Sequence, residues 1–249
     1  MKNNEEFMKK ETEMKKIVAF ANYFSWNEKL LWGISVILII VSFSLFDREN
    51  YLTLVASLIG VTSLIFNAKG NPVGQLLMVI FSWLYGIISF SFRYYGEMVT
   101  YLGMTMPMAV FALIAWLKNP YNGNKAEVKV SQISKGETVF MCVGTAVVTV
   151  IFYFILEYFS TANLLPSTLS VTTSFLAVYL TFRRSPYFAL AYAANDMVLI
   201  LLWILASLDD RRYISVVVCF GAFLANDIYG FISWRKMEKR QAENIDRVG

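Results

Sequence analysis

The chain of 249 residues contains no histidine. Imidazole acid–base catalysis, histidine metal ligation and a serine–histidine–aspartate triad are therefore excluded. Cysteine is almost missing too: Cys142 and Cys219 both lie inside apolar runs, and neither has a CxxC partner. Such a pair reads as small helix-packing residues, not as a disulfide framework. Charged residues make up only 16% of the chain, well below the roughly 25% of soluble domains. A clustered nucleophile and a glycine-rich phosphate loop are also absent, so the chain is not expected to be an enzyme or to hold a cofactor or metal. The strand-like alternation of an outer-membrane barrel is missing as well. Residues 1–29 are polar and charged, so no cleavable signal is expected there.

What the chain has is apolar length. Hydrophobic residues reach 57% and aromatics 16%. Apolar runs near 20 residues recur, the length that crosses a bilayer as a helix. The sequence predicts an all-α polytopic membrane protein with eight transmembrane helices, at about 30–46, 51–68, 72–92, 97–117, 137–159, 164–182, 186–207 and 211–234. Turn formers fill most connections: DREN at 47–50, NAKGNP at 67–72, RYYGE at 93–97, RRSP at 183–186 and DDRR at 209–212. The one long connection, 118–136, is polar and contains NPYNGN. Residues 1–29 are lysine-rich and place Ile17, Phe20 and Phe24 at helical spacing, as a surface amphipathic helix does. Residues 235–249 form a charged tail. With both termini cytoplasmic, 18 of the 22 Lys and Arg fall on the inside, leaving Arg48, Arg93, Arg211 and Arg212 outside. That bias predicts a multi-pass plasma-membrane protein with inside termini. It also accounts for the net charge of +4 without a nucleic-acid partner.

The spans repeat. Pro72 and Pro186 each open a span after a basic turn, and LGMTMPMAVFALIAWLK (102–118) aligns without a gap on FGAFLANDIYGFISWRK (220–236). Gly103/Gly221, Ile114/Ile232, Trp116/Trp234 and Lys118/Lys236 coincide. Residues 51–117 and 164–234 thus read as two three-helix units, with 137–159 as a linker helix and 30–46 as an extra N-terminal helix. One crossing between the copies keeps them parallel, an architecture of transporters whose small-molecule path runs between two bundles.

Polar residues inside apolar helices mark candidate walls of that path. Asn195 and Asp196 sit side by side in PYFALAYAANDMVLILLW (186–203). A carboxylate at the bilayer centre costs roughly 3 kcal/mol on insertion scales. Tyr192, Asn195, Asp196 and Trp203 fall within about 100° of helical arc. The third span offers Gln75, Trp83 and Tyr85 along a stripe of small polar residues. In the fourth span Tyr101 and Thr105 share a side with Met108, Ala112 and Trp116. In the eighth, Asn226 and Tyr229 do so with Cys219 and Gly230, and Asp227 lies about 100° round from Asn226. Small and hydroxyl residues on one face also serve helix packing, and a buried polar contact locking two helices is the plain alternative for Asn195 and Asp196. Aromatic rings with amides and a carboxylate suit a flat, hydrogen-bonding ligand. The candidate substrate-binding set is therefore Tyr192, Asn195, Asp196, Trp203, Gln75, Trp83, Tyr85, Thr105, Asn226 and Tyr229. The intramembrane carboxyls of Asp196 and Asp227 also admit a proton-coupled carrier.

The runs NPVG, FSWLYG and YYGEMVTYLGMTMPMAVFALIAWLKNPYNG, followed by SPYFALAYAANDMVLILLW and LANDIYGFISWRKM, resemble the PnuC family of bacterial vitamin-precursor carriers over about residues 51–236. The resemblance implies facilitated diffusion of nicotinamide riboside, driven by its phosphorylation inside the cell, and a homotrimer in the lipid bilayer. It also implies a Trp-x-x-Trp motif in the seventh span. Ala189 and Tyr192 occupy those positions here. Related members carry thiamine, riboflavin or deoxynucleosides, so these remain alternative substrates.

Overall fold

The computed structural model describes residues 23–91 and 95–246. The amphipathic face at Ile17 and Phe20, and Lys2, Lys9, Lys10, Lys15, Lys16, Arg93 and Arg247 among the topological charges, lie outside the described residues. Eight helices are long and apolar enough to cross a membrane. They are α1 (Trp26–Phe46), α2 (Tyr51–Ala68), α3 (Pro72–Ser91), α4 (Tyr95–Leu117), α5 (Lys135–Tyr158), α6 (Leu164–Phe182), α7 (Phe188–Asp209) and α8 (Ile214–Asp246). A single turn of 3₁₀ helix, Arg211–Tyr213, leads into α8. That helix runs 33 residues, past the expected end of its span, because Glu, Lys, Arg, Gln and Ala beyond Trp234 favour helix and neither Gly nor Pro interrupts them. The long connection is not featureless. Pro120–Tyr121 (β1) pairs antiparallel with Asn124–Val128 (β2). Asn122 and Gly123 turn the chain at φ of 49° and 77°, the positive values that an Asn-Gly hairpin turn requires.

Six helices close into a ring, α2–α3–α4–α6–α7–α8 and back to α2. The third helix of each expected triplet packs against the first helix of the other triplet. The two remaining helices lie outside: α1 covers the α8–α2 seam, and α5 lies on α6 and touches the start of α4. α5 turns Val139, Phe140, Val143, Val147, Val150, Ile151 and Phe154 outward, as lipid-facing residues are.

Local details recur around this ring. Ser25 caps α1 and Glu28 bonds back to it, completing a capping box, and Ser134 caps α5 by accepting from Glu137 N. Each such cap stabilises its helix by about 1 kcal/mol. Glu28 then pairs with Lys69 in the α2–α3 turn, while Glu137 pairs with Arg183 in the α6–α7 turn. Both turns end their helix through a left-handed residue, Gly70 at φ 65° and Arg184 at φ 58°. In the first, Gly70 N and Asn71 N donate to Asn67 O and Phe66 O. In the second, Arg184 N and Ser185 N donate to Thr181 O and Leu180 O. The contact pattern thus relates α1 to α5 as well as the triplets to each other.

One end of the ring is sealed. Trp116, Trp234, Phe188, Leu180, Ala189 and Val128 form a buried cluster, with Trp116, Trp234, Val128 and Ala189 wholly inaccessible. The two indoles are 5.3 Å apart and exchange helix ends. Trp116 Nε1 donates to Thr181 O at 2.9 Å, and Trp234 Nε1 donates to Asn67 O at 2.7 Å. The hairpin is strapped over this seal. Val128 N donates to Gly70 O at 2.9 Å, Ser131 N to Arg184 O at 3.0 Å, and Gln241 of the α8 extension donates to Val128 O.

Candidate functional site

Proline opens the site. Pro107 lies inside α4, has no N–H for the Gly103 carbonyl and crowds it. The helix widens to a π turn over Tyr101–Thr105 just before it, and Met106 N bonds to Tyr101 O. Such turns collect at functional sites. Here the widened turn carries Tyr101 into the ring, 4.5 Å from the Tyr85 ring and 6.1 Å from Phe81. Phe220 and Phe223 complete an aromatic core beside it. Gly60 on α2 permits this closeness, since a Cβ there would stand 2.4 Å from Phe223.

α7 supplies the polar wall. Three hydroxyls of α6, on Ser170, Thr173 and Ser174, converge on Asn195 Oδ1 at 3.3, 2.8 and 3.1 Å. Asn195 is thereby fixed in orientation and joins α7 to α6. Asp196, next to it, turns toward Asp227 of α8, and the two carboxyls interact directly. Tyr101, Tyr192 and Cys219 are within electrostatic reach of Asp196. Asp196 Oδ2 has no hydrogen-bond partner among the described residues, nor do Ser82 Oγ, Glu97 Oε2, Thr161 Oγ1 or Asn226 Oδ1. Buried polar atoms are nearly always paired. Of these, Glu97 and Thr161 line the same small cavities, whereas Asn226 is on the α8 face that meets α1.

The structure groups some of the expected residues and separates others. Asn195, Asp196 and Trp203 are buried on α7, Tyr192 is half-buried against the seal cluster, and Tyr85 and Thr105 are buried in the facing helices. The Trp203 ring is tilted against Tyr213, centroids 5.2 Å apart, and lies toward the end of the ring opposite the tryptophan seal. Four others point elsewhere. Gln75 donates to Asn67 Oδ1 at 2.8 Å near the seal. Asn226 donates to Ser35 Oγ of α1 at 2.9 Å. Tyr229 donates to Glu28 at 3.2 Å. Trp83 is 53% exposed on the outer surface. The helical arcs grouped these residues correctly on their own helices, but an arc does not say which neighbour it meets. Tyr101, Glu97, Asp227 and the α6 hydroxyls were outside the candidate set. Pro107 in mid-span was the available signal for Tyr101.

Ala189, at the first position of the tryptophan motif, is fully buried in the seal, with its Cβ 3.6 Å from where a Gly230 side chain would begin. An indole does not fit there in this packing. Trp116, Trp234 and Phe188 already fill the space around it.

Away from the seal, a small cavity of about 50 Å³ reaches in past Glu97, Thr161, Asn163 and Trp203. A second of about 20 Å³ continues along Tyr101, Ser170 and Ser174. These volumes hold a water or two, not a nucleoside. The ring is closed at the seal and narrowly open opposite it.

A family model described as nicotinamide mononucleotide transporter matches residues 50–236. The chain belongs to this family. The nicotinamide mononucleotide transporter family is one of transporters and not of enzymes, in keeping with the multi-pass fold. Among curated relatives, the chain is 26% identical over 202 residues to a protein of Neisseria mucosa named nicotinamide riboside transporter PnuC, covering 79% of this chain and 76% of the relative. A Haemophilus influenzae protein of the same name is 23% identical over 196 residues, covering 77% and 82%. A solved structure, titled as the crystal structure of the vitamin B3 transporter PnuC, superposes with a TM-score of 0.76 at 23% identity, over 88% of this chain and 94% of that one. That similarity extends the shared fold to nearly the whole chain.

Proposed function

We propose that the chain imports nicotinamide riboside by facilitated diffusion along the axis of the six-helix ring. One observation carries the choice of riboside over the mononucleotide in the family's description. Among the described residues, the buried charged groups are Glu28, Asp47, Asp196 and Asp227, and none is a Lys or Arg. A phosphate crossing this interior would meet carboxyls of its own sign with no cation to offset them. The riboside instead carries a positive pyridinium ring, which suits Asp196 and Asp227, while Tyr101, Tyr192 and Tyr85 offer faces to a flat ring. The riboside hydroxyls find acceptors and donors at Asn195, Ser82 and Thr105. The names of the curated relatives point the same way.

The parallel pairing of helices, with α1 related to α5, supports a rocking movement of one half against the other about this site. The charge bias supports a cytoplasmic position for the tryptophan seal and the termini. The seal therefore closes the inner exit, and Glu97 and Trp203 line the outer entrance. Binding of labelled nicotinamide riboside to purified protein, with nicotinamide mononucleotide, thiamine, riboflavin and deoxyadenosine as competitors, tests the reading. Competition by the mononucleotide at equal strength would remove it.

A proton-coupled carrier is the second reading, favoured by the direct approach of Asp196 to Asp227. Uptake into vesicles with and without an imposed pH gradient decides between them. An indifferent rate leaves facilitated diffusion.

A further inference from the structure

The inner end of the protein bears a second feature that the ring does not use. Between the β-hairpin, the cytoplasmic extension of α8 and the α2–α3 turn lies an open cleft of about 370 Å³. Its walls include Lys69, Lys236, Arg240, Tyr23, Asn124 and Glu127. Lys236 and Arg240 are one turn apart on α8 and so share a face. Three cations therefore meet one carboxylate on the walls.

Two of the cations already have partners. Lys69 Nζ is 3.2 Å from Glu28 and lies 4.8 Å above the Tyr23 ring. Arg240 pairs with Glu127. Lys236 has no ion pair among the described residues. The Tyr23 ring is held in place by its hydroxyl, which donates to Ala126 O and accepts from Asn71 Nδ2 at 2.9 Å. The cleft thus combines a free ammonium, a guanidinium fork, a second ammonium and a fixed aromatic face. Cations placed this way recognise phosphate, the guanidinium by two parallel bonds and the ammoniums as point charges. The volume is in the range of small-molecule sites and leaves room for a sugar or base beyond the phosphate, against Tyr23 and Asn124.

We propose that this cleft is a phosphate-ester site at the inner face, sized for a nucleoside monophosphate. A ligand held there touches both the hairpin and α8. Val128 of the same hairpin is part of the tryptophan seal, so occupancy ties the strap more firmly over the closed inner end. Nothing in this depends on which solute the ring carries.

A lipid headgroup offers the same phosphate chemistry, so the test has two arms. In the first, the full chain in lipid-free detergent is titrated with adenosine 5′-monophosphate and with ribose 5-phosphate, with ribose as the phosphate-free control. In the second, it is placed in nanodiscs with and without phosphatidylglycerol, and bound lipid is counted by native mass spectrometry. The expected result is saturable binding of adenosine 5′-monophosphate and none of ribose. Lys236→Gln should weaken it about tenfold, as for loss of one charge-assisted phosphate contact, and Lys236→Arg should restore it. Amides of 124–128 and 236–240 should exchange more slowly in the bound state. Lys236 is exposed and makes no ion pair among the described residues, so its replacement leaves the fold intact. Absence of saturable ester binding overturns the proposal, and so does binding indifferent to both Lys236→Gln and Arg240→Gln. Selective retention of phosphatidylglycerol without ester binding overturns the soluble occupant and gives the cleft to a lipid headgroup.

Discussion

Replacing Trp116 or Trp234 by phenylalanine separates two things the indoles do at the tryptophan seal. Each fills a fully buried space, and each donates one hydrogen bond to a carbonyl at the end of a helix from the other half. Phenylalanine keeps most of the ring and removes only the donor. An abandoned buried acceptor would cost about 1–3 kcal/mol, but a carbonyl that keeps another partner loses only the net bond, about 1 kcal/mol. Both acceptors keep partners. Asn67 O still receives Gly70 N, and Thr181 O still receives Arg184 N, each at 2.9 Å. Trp116→Phe and Trp234→Phe should therefore each cost about 1 kcal/mol, roughly 2–4 °C in melting temperature for a chain of this size. Alanine at either position should cost about 3–5 kcal/mol through the cavity it leaves. The indoles are 5.3 Å apart, so the double alanine variant should depart from additivity by about 0.5–1.5 kcal/mol, the worth of an aromatic pair. Thermal unfolding in one detergent, followed by intrinsic fluorescence and by light scattering, reads all five variants. The reciprocal design predicts equal effects at the two sites. A shift at only one phenylalanine variant, or at neither, would refute it.

Other outcomes follow from the same geometry. Asp196→Asn and Asp227→Asn each leave one carboxyl of the pair, so each should weaken nicotinamide riboside binding by less than about tenfold. The double variant removes an attraction of about 2–3 kcal/mol at an effective dielectric near 20, and isothermal titration should show a loss near 100-fold. Gly70→Ala should destabilise by about 1–2 kcal/mol, because its φ of 65° is left-handed and the new Cβ meets Met237 and Val128 at 3.2–3.3 Å. Arg184→Gly, at the matching position, should relieve a similar backbone cost, with chemical denaturation as the measure. Burial raises the Tyr23 phenol above its ordinary value despite the Asn71 hydrogen bond. The protonated form is thus favoured by the fold. Its contribution is complete below pH of about 10 and is lost as the pH rises through the raised value. Tyr23→Phe should remove that part of the alkaline fall in melting temperature.

Apolar runs and turn residues were enough to place the spans, because a helix in lipid must satisfy its backbone internally and needs a set length to cross. The matching Trp116 and Trp234 were legible for the same local reason: a gapless alignment of two helix ends. The Ser-x-x-Glu caps at 25–28 and 134–137 were equally local and relate α1 to α5, a kinship that hydropathy alone did not suggest. The Asn-Gly turn of the hairpin was visible in NPYNGN, yet a hairpin this short depends on the seal and α8 beneath it for stability.

The site was read less well. Helical arcs put Gln75, Asn226 and Tyr229 on polar faces, and those faces turned out to meet Asn67, Ser35 and Glu28. Helix periodicity determines which residues share a face, since it follows from bonds four residues apart. Which face lines the axis, which meets a neighbouring helix and which meets lipid depends on contacts between residues up to 201 apart in the chain, as for Tyr229 and Glu28. The sequence by itself therefore determined the membrane class, the eight crossings, the charge bias and the repeated anchors. Only the tertiary structure decided that the helices close into one ring, that Asp196 meets Asp227, and that the two tryptophans hold each other's half of the protein shut. Those outcomes rest on packing across the ring, which local sequence does not encode.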